Sequence, residues 1–162
     1  MVNNMQKKIE IQSKIEEIFS NSKIKYTYLN DVEDNDLNYD VWISVGGILS
    51  PLKFIQALCY ISFEDNTLNF MVPNIYKITQ EDNITQLYKI INKANIELST
   101  GVFGVVEISS TKSKQIIYKS TYNCEENFCN LTTTSFEEQI NNIISNIIYI
   151  FGELKRMKID GV

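Results

Sequence analysis

The sequence predicts an α+β protein in which helices pack against an antiparallel sheet. Three observations carry that prediction. Apolar residues recur at helical spacing in three well-separated segments. Between those segments they alternate, as half-buried strands do. No repeat, Pro/Ser-rich linker or shift in composition divides the chain. The expected order is α-β-β-β-(β)-α-β-β-α in one domain spanning residues 1–162, with its core at about 5–158. A chain of 162 residues buries roughly 68–70% of its unfolded surface on folding, which is enough for one self-sufficient core.

The first helix is expected from about 4 to 20. There Met5, Ile9, Ile11, Ile15, Ile18 and Phe19 share one side, and Asn21-Ser22 ends it. Ile24, Tyr26 and Tyr28 alternate with Lys25 and Thr27 as a strand. An acidic connection follows, carrying Asp31, Glu33, Asp34, Asp36 and Asp40. Val41, Ile43 and Val45 then alternate with Trp42 and Ser44, Gly46-Gly47 marks a turn or bulge, and 54–63 is a nearly continuous apolar strand. Glu64-Asp65-Asn66 turns the chain into a strand at 68–72, which Pro73 is expected to end.

The second helix is expected to begin near Thr79, with Asp82 completing a loose capping pattern and Ile84, Leu87, Ile91, Ala94 and Leu98 at helical spacing. A hairpin of 102–108 and 115–122 comes next. The last helix, about 134–158, opens with Thr134 and Glu137 as a capping box. Its apolar residues from Phe136 to Leu154 cover an arc of about 160° at 100° per residue. One packing surface needs only about 100°.

Composition narrows the function classes. The chain has 15 Lys and Arg against 20 Asp and Glu, a net charge of −5, and no histidine. Acidic charge disfavours nucleic acid as a partner. The missing histidine removes the commonest general base, proton shuttle and metal ligand. No G-x-S-x-G elbow occurs, and Gly46-Gly47 lacks the lysine and spacing of a phosphate loop. Gly101-Val102-Phe103-Gly104 has the G-x-x-G spacing of a KH loop, but with apolar residues in the middle and few cations around it. The acidic stretch fails the EF-hand pattern. Counted from Asp31, positions 6 and 12 hold Asp36 and Trp42 where Gly and Glu are required. These readings give no cofactor, no metal and no enzyme.

Lys7 and Lys8 are followed by Glu10, Gln12, Ser13, Lys14, Glu16 and Glu17 rather than an unbroken apolar run, and no later segment spans a membrane. A cytoplasmic protein is expected. Cys59 lies in an apolar run and reads as a small buried hydrophobe. Cys124 and Cys129 are spaced for a possible disulfide but are expected as free thiols in a reducing compartment.

The segment from Leu87 to Phe103 carries a helix with Asn92 and Asn95 near its end, Gly101 six residues after Asn95, and an aromatic two beyond the glycine. In this it resembles the central signature of the YbjN family, described as bacterial sensory transduction regulators. The hairpin that follows and the helix introduced by Leu131 and Ser135 are also similar to that family. Val102 replaces the basic residue frequent after the glycine. The resemblance implies a fold like that of type III secretion chaperones, in the order α-β-β-β-α-β-β-α. It also implies a non-enzymatic, often dimeric, protein-binding role.

Physical chemistry gives the same residues structural work. Asn95 can adopt a left-handed conformation or bond local backbone, Gly101 can supply positive φ, and Phe103 begins an inward strand. Tyr39, Trp42 and Tyr60 are candidates for an aromatic partner surface. The expected function is therefore a chaperone-like or protein-binding regulatory domain with an unknown protein partner, working as a homodimer through its sheet or through the broad apolar face of the last helix. The alternatives are a metal-dependent enzyme using the carboxylates at 31–40, and a structural subunit that orders in a complex.

Overall fold

The computed structural model describes residues 4–22, 26–28, 41–46, 56–62 and 64–160. Its elements are α1 (Asn4–Asn21), β1 (Tyr26–Tyr28), β2 (Val41–Gly46), β3 (Gln56–Ser62), β4 (Thr67–Ile78), α2 (Ile84–Glu97), β5 (Val102–Ile108), β6 (Ser113–Asn123) and α3 (Thr133–Asp160). A 3₁₀ turn, Glu126–Phe128, precedes α3. The fold is α+β, as the hydrophobic periods predict. Among the described residues there are four strands before α2, one more than the type III chaperone order.

The strands form one antiparallel sheet, in the order β1-β2-β3-β4-β6-β5. β6 is therefore inserted between β4 and β5, and among the described residues β5 is the last strand on that side. Alternation assigns the faces. Ala57, Cys59 and Ile61 on β3, Leu68, Phe70 and Val72 on β4, Phe103 on β5, and Ile116 and Tyr118 on β6 all join one buried cluster with the helices. The opposite face is more polar. Thr121 donates to Asn69 (2.9 Å) across β6 and β4, and Asn69 donates to Thr67 (2.9 Å).

α3 is the central helix. Phe136 meets Phe19 of α1 edge-on, with ring centroids 4.6 Å apart, and lies 6.2 Å from Phe70 of β4. Phe136, Ile140, Ile143, Ile147, Ile150 and Leu154 are all buried, and each such side chain contributes about 1.5–3 kcal/mol relative to exposure. The wide apolar arc is consumed by packing within the chain, since α1, α2 and the sheet each take part of it. Ile148 is the one large arc residue classed as exposed.

Three boundaries differ from expectation. β4 does not stop at Pro73 but runs on to Ile78, passing Pro73 through an irregularity between Val72 and Tyr76. Asn74, at φ 56°, donates its N–H to the Gln115 side chain (2.9 Å), which replaces the interrupted ladder. α2 begins at Ile84 rather than near Thr79, because Asn83 is its cap and accepts from Gln86 N–H (3.1 Å). Asp82 instead closes the turn before the helix, accepting from Thr79 N–H (2.7 Å) and from Tyr76 (2.6 Å). The cap of α3 is Thr132, not Thr134. Ser135 N–H donates to Thr132 Oγ1 (3.1 Å), and Thr132 N–H donates to Ser135 Oγ (2.9 Å). This is a capping box with serine in the acidic position.

Candidate functional site

The corner joining α2 to β5 gathers the family-like residues. Asn95 lies within α2, so it is helical rather than left-handed. Its side chain donates to the carbonyl of Phe103 (2.9 Å) and accepts from the N–H of the same residue (2.8 Å). An asparagine side chain carries the same donor and acceptor as a peptide unit. Asn95 thus behaves as a one-residue neighbouring strand at the start of β5. Asn92 is exposed one turn earlier.

Gly101 has φ +75°, where a side chain is strained. A Cβ there would also overlap the hydroxyl and ring of Tyr118. Tyr118 is fully buried on β6, donates to the carbonyl of Thr100 (3.3 Å), and stacks obliquely on Phe103, with centroids 5.0 Å apart. Asn146 of α3 completes the network, donating to the same carbonyl (3.0 Å) and to the Tyr118 hydroxyl (3.0 Å). Sequence reasoning missed Asn146 and Tyr118. At 100° per residue Asn146 falls about 40° outside the apolar arc of α3, on its flank, so helical periodicity alone did not mark it as buried.

A second polar cluster seams α2 to α3. Tyr149 donates to Glu97, Lys93 lies 3.7 Å from Glu153, and Arg156 reaches Glu153 at 3.0 Å. The hydrogen bond to Glu97, then burial, pushes the Tyr149 phenol up to about 12. Burial, then the bond to Asp82, does the same for Tyr76. Phenols held this firmly in the neutral form are poor bases at neutral pH.

The cysteines are free thiols. Burial pushes Cys59 far above the ordinary thiol range and Cys124 up to about 11, while the hydrogen bond from Cys129 to Glu125 (3.3 Å) raises Cys129. Raised values favour the protonated thiol over the thiolate that attacks or ligates.

Trp42 and Tyr60 are register partners across β2 and β3. Tyr39, the side chains of Trp42 and Tyr60, and the acidic stretch at 31–40 lie outside the described residues. Among the described residues no group of three or more Cys, Asp or Glu is placed to hold a metal, and no helix is long and apolar enough to cross a membrane.

The most exposed large apolar side chains among the described residues are Ile9, Ile84, Tyr88, Ile96, Val102 and Ile148. Four of these six belong to α2 or β5: Ile84, Tyr88 and Ile96 lie along α2, and Val102 opens β5. No family model matches the chain, and no curated protein or solved structure matches it.

Proposed function

We propose that this chain is a non-enzymatic, chaperone-like protein-binding domain of the regulatory kind that the YbjN resemblance implies, cytoplasmic and acting as a homodimer. The observation that carries the reading is the pair of exposed apolar side chains Ile84 and Tyr88 on one line of α2, the helix packed on β5, whose outer edge no described strand covers. Uncovered apolar area adjoining an open edge favours association with another polypeptide. The family-like residues support this reading indirectly. Asn95, Gly101 and Phe103 are spent on holding the corner, which keeps β5 presented at the edge.

The test uses the immobilised full chain against lysate of the cell that makes it, followed by calorimetry with the purified captured protein. Stoichiometric binding at micromolar or tighter Kd is expected. A parallel thermal melt with Ca²⁺, Mg²⁺ or Mn²⁺ is expected to show no stabilisation. Absence of any captured protein above a bead control overturns the reading. So does a melt raised by several degrees with one ion, which would point to the carboxylates at 31–40.

A further inference from the structure

We propose that β5 pairs antiparallel with β5 of a second copy of this chain, centred on Val106, to make one continuous sheet. The inference rests on the dimeric reading above and assigns it a surface and a register.

Two independent sets of hydrogen bonds fix which backbone groups of β5 face outward. Asn95 takes both groups of Phe103, so those groups point away from β6. On the far side of β6, Cys124 N–H donates to the carbonyl of Asn66 (2.8 Å). Even-numbered residues of β6 therefore bond toward β4, and odd-numbered ones toward β5. With the register Gly104↔Ile117 and Val106↔Gln115, both observations agree. Val102, Gly104, Val106 and Ile108 bond to β6, while Phe103, Val105 and Glu107 present N–H and C=O to the edge. Phe103 is capped by Asn95. Among the described residues no partner takes the outward groups of Val105 and Glu107.

That open pair is self-complementary. An antiparallel copy centred on Val106 sets Val105 opposite the partner's Glu107, and Glu107 opposite the partner's Val105. Four backbone bonds form. The Asn95 side chain occupies the next position, so it blocks a longer pairing and selects this register. Charge favours the same arrangement. Each copy carries a net charge of −5, so a contact between two copies requires a patch without opposed carboxylates. Glu107 would face an aliphatic residue, and it already lies beside Lys114 in register on β6.

α2 supplies a matching side-chain surface. At 100° per residue, Ile84, Tyr88, Ile91 and Asn95 fall within about 60° of one another. Asn95 contacts β5, so this line runs along the edge, with Ile84 and Tyr88 still 43% and 46% exposed. The charged residues of α2, Lys89, Lys93 and Glu97, lie on the other side, where Lys93 and Glu97 meet α3. A two-fold axis through Val106 brings the two Ile84–Tyr88 lines toward each other over the joined sheet.

The experiment places cysteine at the centre in a Val106→Cys chain with exposed Cys129 replaced by serine. A non-hydrogen-bonded pair has its Cα atoms about 4.5 Å apart, which is within disulfide reach. Mild oxidation of the folded protein is expected to convert most of it to a covalent dimer. Glu107→Pro should give monomer by light scattering that stays folded by circular dichroism, since the N–H that proline removes there points outward rather than to β6. Tyr88→Lys should raise the dimer Kd at least tenfold. A dimer that neither cross-links at residue 106 nor dissociates with Glu107→Pro overturns the edge pairing and leaves a dimer built on another surface. A wild-type chain that is monomeric overturns both the pairing and the dimeric part of the reading.

Discussion

Asn95 is the residue on which most of the corner depends, because one side chain satisfies two backbone groups of a buried phenylalanine. Asn95→Ala leaves both unpaired and should destabilise by about 2 kcal/mol, read from urea denaturation. Gly101→Ala should cost more, about 2–4 kcal/mol, since positive φ and overlap with Tyr118 act together. Asn95 and Gly101 stood out in the sequence through the resemblance to a family signature, and an asparagine near a helix end and a glycine before a strand fit a helix-to-strand corner. The partner of Asn95 was not legible, since a bond spanning eight residues depends on how the loop closes. pH supplies a second residue-scale expectation. Tyr76 and Tyr149 are held near 12, against 10 for an ordinary phenol. Their contribution is complete below pH 10, and it declines between about pH 10 and 12, where the unfolded chain deprotonates first. The thermal midpoint of the wild type should fall more steeply over that window than that of the Tyr76→Phe, Tyr149→Phe double variant.

Elements were legible where the hydrophobic period was long and their ends were not, for reasons that differ case by case. Pro73 is a strong stop signal, yet β4 passes it because Gln115 from β6 supplies the bond the ladder lacks. That compensation comes from a residue about 40 positions away, which no local pattern contains. The capping box of α3 was displaced because Thr132, Thr133 and Thr134 are adjacent and chemically equal as caps. Burial of Leu131 and Phe136 selects Thr132 between them, with hydrophobic groups on both sides of the cap. Thr132→Ala should therefore cost about 1 kcal/mol, while Thr134→Ala, exposed in the first turn, should change stability by less than about 0.5 kcal/mol. Chemical denaturation of the two variants distinguishes the caps.

For the whole molecule, the apolar arc of α3 first suggested a docking face, because about 160° exceeds the needs of one contact. Packing accounts for it: α3 is buried between α1, α2 and the sheet, so the width reflects a central position rather than a partner. The sequence could show how wide the arc is, but not how many neighbours share it. The surface with the better claim on a partner is the β5 edge with α2 above it. It was not legible as an edge, because strand order in a sheet follows from the insertion of β6 between β4 and β5. The dimeric part of the binding reading and the edge pairing both require that two copies meet. Sedimentation equilibrium of the wild-type full chain across the micromolar range tests that requirement most directly. The account predicts a dominant species at twice the 18.7 kDa of one chain. A single species at 18.7 kDa throughout that range would contradict it.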